Sequence, residues 1–289
     1  MPDSPEAPAV TARLLARLVD DAAVFPPGNA PLPRALAEHR AHRSAWYSDI
    51  VGPLLVPASA VAELVDLVSN DPDEGGPVHV VVVARPGTPG TDVVAAVGSA
   101  QGTSVDVAGV EMGWQPGWRD LSLRDLPVVL EIPRGEDRER ALADVRDGQQ
   151  EGHPVLAKLR TGATATWEWP DESELARFLL DVTQLGIPAK LTGGLHHVVR
   201  GDHGGEPQHG LLNVLVALDA AQHDSLTPDL DALAALLAER DAHALATEVA
   251  TWDDDRATRV RATLTAYGCC GVTDPITELS ALHLVAGAP

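Results

Sequence analysis

The sequence predicts a single-domain (β/α)8 barrel, and three observations favour that architecture. Short apolar runs alternate with helical segments along almost the whole chain. Counting them produces eight β-then-α units within about 250 residues, the length typical of this fold. Hydrophobic residues make up 45% of the chain but aromatics only 3%, so the core is mostly Leu, Val and Ala, which suits parallel strands wrapped by helices. A doubly wound open sheet is the alternative, but no G-x-G-x-x-G follows an early strand.

The first half of the chain predicts four strands. Leu14, Leu15 and Leu18 share one side of a first helix, and Pro26-Pro27 ends a short first strand as a rigid turn. Val78 begins a run of β-branched residues that is typical of a buried parallel strand. The predicted segments are a helix at 11–19, a strand at 22–25, a helix at 33–47, a strand at 52–58, a helix at 60–68, a strand at 78–84, a helix at 92–100 and a strand at 105–112.

The second half predicts the other four strands, with Gly186 closing one of the helices between them. The first and eighth strands are the weakest of the eight patterns. The predicted segments are a strand at 128–132, a helix at 137–150, a strand at 154–160, a helix at 173–185, a strand at 188–195, helices at 211–221 and 229–239, a strand at 243–249 and a helix at 254–267. Residues 1–10 are predicted as a disordered tail, 11–289 as the barrel and 268–289 as its C-terminal extension.

The overall composition excludes several classes of partner. A formal net charge of −21 argues against nucleic acid, because neutralising phosphates requires clustered Lys and Arg; it also disfavours an anionic membrane. The first ten residues lack the features of a signal peptide, and no apolar run approaches the roughly 18 residues of a membrane span. We expect a cytoplasmic protein with a small-molecule substrate, and leave a homo-oligomer open.

Two lysines stand out because every other Lys or Arg position is arginine. Lys158 and Lys190 lie in similar phrases, A-K-L-R-T-G and A-K-L-T-G-G, on the sixth and seventh predicted strands. Lysine differs from arginine in that it loses its proton when desolvated and then acts as a nucleophile or base. The flanking Ala and Leu suit packing against outer helices, so the pattern predicts that both lysines face the barrel interior.

Further charged residues fall at the ends of neighbouring strands. Glu111 ends the fourth predicted strand, Glu131 ends the fifth, and Arg160 shares a face with Lys158. Active sites of such barrels lie at the C-terminal ends of the strands, so these side chains are predicted to surround one mouth. Charges are rarely buried unless they are paired or functional. Carboxylates beside amines can exchange the protons that carbonyl chemistry requires.

The two lysine phrases, 32 residues apart, resemble the paired lysine strands of class I aldolases of the deoxyribose-phosphate aldolase type. The resemblance covers about 45 residues, and the R-T-G and L-H-H continuations depart from the family. It implies a lyase without a cofactor that acts on a small carbonyl compound, phosphorylated or not. Lys158 would form the Schiff base and Lys190 would tune its pKa, while Glu111 or Glu131 takes the place of the family's acidic partner.

Other residues near the same strand ends are candidates for substrate binding. Arg160 and His197 are expected to hold an anionic group, and Asn29 to hydrogen-bond the substrate. The glycines after the seventh strand would admit a phosphate near the helix at 211–221, where barrels often bind one. The complete set of substrate-binding candidates is Arg160, Thr192, Gly193, Gly194, His197, Arg200 and Asn29.

Two alternatives remain open at this stage. Glu111 and Glu131, together with His196 or His197, would form an O/N site for a divalent metal such as Mn, Zn or Fe, and the barrel would then be a metal-dependent lyase, isomerase or hydrolase. The other alternative is a non-catalytic barrel that binds a small molecule. Cys269 and Cys270 are adjacent and have no base nearby in sequence, so we expect them to be buried structural residues.

Overall fold

Eight parallel strands close into a barrel in the computed structural model of the protein, which describes residues 9–70, 76–85, 87–123, 126–223 and 229–286. The barrel strands are β1 (Val19–Asp21), β2 (Val51–Pro57), β3 (Val78–Val83), β4 (Val105–Gly113), β5 (Val128–Glu131), β6 (Val155–Arg160), β7 (Ala189–Thr192) and β10 (Leu264–Cys269). Two further strands, β8 (Gly201–His203) and β9 (Glu206–Gln208), form a separate two-stranded sheet. Around the barrel they follow the order β1, β10, β7, β6, β5, β4, β3, β2, and β2 pairs with β1. The predicted (β/α)8 barrel is confirmed.

Helices connect the strands and cover the outside of the barrel. They are α1 (Ala9–Leu15), α2 (Leu32–Ser44), α3 (Val61–Ser69), α4 (Gly90–Ser99), α5 (Arg138–Gln150), α6 (Glu172–Leu185), α7 (Leu211–Ala221), α8 (Leu230–Ala238), α9 (Ala242–Ala250), α10 (Asp254–Thr263) and α11 (Thr273–Ala281). Within the described ranges, no helix has the length and apolar character that a membrane crossing requires.

Side chains alternate between the two faces of each strand, and this alternation separates two apolar clusters. Leu54 and Val56 of β2 belong to the large cluster that the strands share with the outer helices. Leu55 of β2 and Val81 of β3 point the other way and form a small cluster with Ala22 inside the barrel. The period of two that is inherent to a strand therefore decides which residues line the lumen.

The first and last strands differ from their predicted positions. β1 comprises Val19–Asp21, not residues 22–25. The predicted eighth strand at 243–249 is wrong, because this segment is helix α9, whose N-cap Asp241 accepts hydrogen bonds from two backbone N–H groups. The closing strand is β10, which follows α10 directly and pairs with both β1 and β7. The predicted helix at 254–267 therefore ends at Thr263.

The chain ends also differ from the predicted domain bounds. Helix α1 begins at Ala9, inside the predicted tail, and residues 1–8 lie outside the described residues. Gly268 and Cys269 belong to β10 of the barrel and not to a C-terminal extension, whose residues 287–289 also lie outside the described residues. The Gly- and His-rich loop before α7 contains the two-stranded hairpin of β8 and β9.

Candidate active site

Five side chains that the sequence singles out meet inside the barrel. Lys158 Nζ lies 3.0 Å from Glu111 Oε2 and 3.0 Å from Glu131 Oε2. Arg160 Nε lies 3.2 Å from Glu131 Oε1. Lys190 Nζ is paired with the other oxygen of Glu111. The five residues thus form one continuous chain of ion pairs.

Glu111 is the centre of this cluster, because its two oxygens bind the two lysines separately. Glu111 is on β4 and Lys190 is on β7, with β5 and β6 between them in the wall. The contact therefore crosses the lumen. Lys190 also pairs with Asp20 of β1, which β10 separates from β7, so the cluster spans the barrel from one side to the other.

Exposure of the side chains increases from the lumen to the mouth. Glu111 is 1% exposed and each lysine 4%, whereas Glu131 is 30% and Arg160 37% exposed. Glu131 and Arg160 are the last residues of β5 and β6, so the open end lies at the C-terminal ends of the strands. Lys158 is the lysine that joins the buried part of the cluster to its open part.

The ion pairs set the ionisation of the buried groups. Burial by itself would raise the pKa of Glu111, but the charges of Lys158 and Lys190 and their hydrogen bonds lower it to about 2. Burial would lower the pKa of Lys190, but Asp20 and Glu111 raise it above its ordinary value. Lys190 is therefore held as an ammonium ion, and Glu111 as a carboxylate, at neutral pH.

The remaining two carboxylates differ in their environments. Burial raises the pKa of Asp20 despite the nearby charge of Lys190. Burial acts in the same direction on Glu131, but Lys158 and Arg160 lower the pKa of that carboxyl group overall. Of the carboxylates in the cluster, Asp20 is thus the one that protonates most readily, and its contact with Lys190 is the place where a proton can be shared.

Asp20 is the site residue that the sequence analysis missed. Placing the first strand at 22–25 left Asp20 ahead of it, whereas in the structure Asp20 is the middle residue of β1. Alternation puts Asp20 and Ala22 in the lumen and turns Asp21 outward to a buried contact of 3.1 Å with His39 of α2. The available signal is the pair of adjacent aspartates, since buried carboxylates need charged or hydrogen-bonding partners.

Two of the predicted substrate-binding residues have partners away from the lysines. Arg200 is largely buried and pairs with Glu172 at 2.5 Å, and it also donates to carbonyls of the β8–β9 hairpin. The Nδ1 atom of His197 lies 2.6 Å from Glu278, and its ring stacks on His203 with centroids 3.3 Å apart. The structure therefore groups both residues with the loop before α7.

The predicted glycines pack two loops together. A Cβ built on Gly194 would lie 2.8 Å from the Thr161 carbonyl oxygen, and one built on Gly193, which has a φ of +75°, would lie 2.9 Å from Arg160. This close approach joins the loops after β6 and β7, so glycine is needed there for packing. Thr192 lies beside Gly268 in the lumen, while Asn29 is an exposed turn residue that bonds Pro27.

The four residues of the metal alternative are not gathered in one place. Glu111 and Glu131 bind lysines, as described above, while His196 contacts Asp274 and both cysteines and His197 contacts Glu278. Within the described part of the chain, no group of three or more His, Cys, Asp and Glu side chains is arranged to hold a metal ion. The metal site therefore stays a prediction without a ligand set.

Comparison with known proteins adds little to this description. No family model and no curated protein matches the chain. A search of solved structures finds a lysine/ornithine decarboxylase from Vibrio vulnificus, crystallised with cadaverine, at 12% identity and a TM-score of 0.41. The match covers 90% of this chain but only 58% of the decarboxylase. The barrel assignment rests on the strand pairing and not on this likeness.

Proposed function

We propose that the protein is an enzyme of the class I aldolase kind, a lyase that binds a small carbonyl compound as a Schiff base on Lys158. The observation that carries the proposal is the bridge of Glu111 between the amines of Lys158 and Lys190. A lysine nucleophile is assisted by a second cation close by and by a carboxylate that stabilises the positive charge of the iminium group. All three groups lie in one barrel, at the end where such folds carry their active sites.

The two lysines differ in a way that favours Lys158 as the nucleophile. Within the described residues, the ion pairs of Lys190 are with the buried groups Asp20 and Glu111. Lys158 contacts Glu131, which is open to solvent at the mouth. Lys190 is held as an ammonium ion by Asp20 and Glu111, which raise its pKa, so Lys190 assists without reacting.

Glu131 is the residue proposed to move protons. Lys158 must give up a proton before its nitrogen attacks the carbonyl carbon, and a proton must then reach the carbinolamine oxygen so that it leaves as water. Glu131 contacts Lys158 and is solvent-accessible, so it can exchange protons with water between these steps. Glu111, with a pKa of about 2, remains ionised throughout and stabilises the positive charge of the iminium group.

Arg160 supports a preference for anionic carbonyl compounds. It is partly exposed and lies beyond Glu131, two residues further along β6 than Lys158. A carboxylate or phosphate on the substrate would replace Glu131 as the partner of the Arg160 guanidinium, which binds both kinds of anion well. His197, which pairs with Glu278, is not required for this step.

The test is reduction with borohydride in the presence of a panel of aldehydes and keto acids, followed by peptide mapping. The chain has only two lysines, so the adduct is easily assigned and is readily distinguished from one on the terminal amine. We expect the adduct on Lys158. Lys158→Arg and Lys190→Arg are a matched pair that both keep the positive charge; only Lys158→Arg should abolish trapping.

A second candidate is a non-catalytic barrel that binds an anionic small molecule. It is favoured by the complete pairing of the cluster, in which each lysine ammonium already contacts two carboxylates. Absence of an adduct on either lysine across the whole panel would reject the Schiff-base proposal and support this one. An adduct only on Lys190 would reverse the assigned roles of the two lysines.

A further inference from the structure

A second group of reactive side chains lies at the same end of the barrel as the lysines. Cys270 follows β10, and its Sγ lies 3.2 Å from Nε2 of His196. The other ring nitrogen of His196, Nδ1, lies 3.2 Å from Oδ2 of Asp274. A thiol, an imidazole and a carboxylate are thus connected in series through the two nitrogens of one ring, the arrangement that activates a nucleophile in hydrolases and acyl transferases.

We propose that Cys270, His196 and Asp274 form a nucleophilic site that transfers acyl groups from small esters or thioesters. No lysine takes part in it, so it is independent of the function proposed above. The sequence places no base near either cysteine and so predicts a structural role for both. In the structure the base comes from the loop after β7, 74 residues away from Cys270.

The two cysteines are clearly different. Cys269 is a buried β10 residue that packs with the outer helices, and burial raises the pKa of its thiol despite the contact with His196. Cys270 is partly exposed and packs against the lumen. Hydrogen bonds with Cys269 and Cys270 raise the pKa of His196, which favours its charged imidazolium form. Of the two thiols that contact His196, Cys270 is the partly exposed one.

Three glycine and backbone features support a built site. A Cβ on Gly271 would collide with the carboxylate of Asp274, so glycine makes room for the group that orients His196. A Cβ on Gly28 would lie 3.1 Å from Cβ of Cys270, so glycine there lets the loop after β1 approach this residue closely. Helix α11 begins at Thr273, and its positive N-terminal end favours a thiolate close by.

The surroundings of Cys270 indicate the class of acyl group. Cys270 packs on the small apolar cluster of Ala22, Leu55 and Val81 in the lumen. Val83 of β3 packs on the same cluster. A short apolar acyl chain suits these surroundings.

The reaction has two balanced steps. The Cys270 thiolate attacks the carbonyl carbon, a C–S bond forms, the bond to the leaving oxygen or sulfur breaks, and His196 donates its proton to the leaving atom. In the second step His196 takes a proton from water, which attacks the thioester carbonyl carbon. The C–S bond then breaks, a carboxylic acid is released and the thiolate is restored.

The experiment is acylation of the reduced protein by p-nitrophenyl acetate and p-nitrophenyl butyrate at neutral pH, followed by release of p-nitrophenol and by peptide mass. We expect an acyl group on Cys270, which Cys270→Ala removes and the matched variant Cys269→Ala retains. His196→Asn should slow acylation about 100-fold or more, the contribution typical of a general acid–base residue.

Asp274 is a positioning residue, and it is half exposed, so its variants should fold. Asp274→Asn should slow acylation at least about tenfold, because it no longer holds the ring as an aspartate does, and Asp274→Glu should recover part of that loss. An acyl group on any residue other than Cys270 would overturn the proposal. An acylation rate at Cys270 that His196→Asn leaves unchanged, in a variant with wild-type circular dichroism, would overturn it as well.

Discussion

The two halves of the barrel lumen are filled by different kinds of side chain. On the side of β2 and β3, Leu55 and Val81 fill the interior with hydrocarbon. On the side of β4 to β7, Glu111, Lys158 and Lys190 fill it with paired charges. An apolar interior is stabilised by burial alone and tolerates some change in shape. A charged interior is stable only while each group keeps its partner.

Of the changes that distinguish the two halves, Lys190→Met is expected to lower the free energy of unfolding the most. This change leaves Asp20 and Glu111 buried without the cation between them, and breaking a buried pair in this way costs about 3–5 kcal/mol of unfolding free energy. Urea unfolding measures the loss. Arg160→Met is the control, because Arg160 is a partly exposed cation of the same cluster whose pair should contribute no more than about 1 kcal/mol. Equal losses in the two variants would contradict the contrast.

A somewhat smaller loss is expected on the apolar side for Leu55→Ala. Removing this buried side chain leaves a cavity, and truncations of this kind cost about 2–5 kcal/mol. Leu55→Met keeps the volume and should cost less than about 1.5 kcal/mol, so the pair separates volume from chemistry. If Leu55→Met were as damaging as Leu55→Ala in the same unfolding experiment, the tolerance assigned to this half would be wrong.

The smallest effect is expected for acid pH. Protonation of Glu111 lowers the free energy of unfolding and protonation of Asp20 raises it, so the two contributions partly cancel. The native pKa of Glu111, about 2, lies below its ordinary 4.5, so its stabilising contribution is full above pH 4.5 and is lost as the pH falls towards 2. Asp20 has a native pKa raised above 3.8, so the native state takes up its proton first and gains stability as the pH falls.

Urea unfolding of two variants between neutral and acid pH separates these contributions. The stability advantage of the wild type over Glu111→Gln should shrink on acidification, whereas its stability relative to Asp20→Asn should improve. Leu55→Ala is the control, because a hydrocarbon truncation should shift the whole curve without changing its slope. The same pH dependence in all three variants would show that the cluster does not titrate as described.

Much of the fold could be predicted because its central strands have strong patterns. Val78–Val83 is a run of β-branched residues apart from His79, and the repeated Ala and Leu around both lysines mark β6 and β7. β1 and β10 could not be placed in this way. β1 is three residues long with two aspartates, and β10 continues from α10 without a turn that would signal the change.

The same limits apply to the candidate site. Glu111, Glu131, Lys158, Arg160 and Lys190 all come from strands that the sequence locates correctly, so alternation was sufficient to predict which face they share. Asp20 depends on the register of β1, and Cys270 on the end of β10. The contact between His196 and Cys270 joins two loops, and only the closed barrel brings these together.

Gly52 limits which residues can stand at two positions of the chain. It is a β2 residue next to β1, and a Cβ at this position would collide with the carboxylate of Asp20. The aspartate therefore occupies the space that a side chain at position 52 would need. Replacements at positions 20 and 52 are therefore coupled: shortening the acid makes room for a side chain at position 52, and a side chain at position 52 displaces the carboxylate of Asp20.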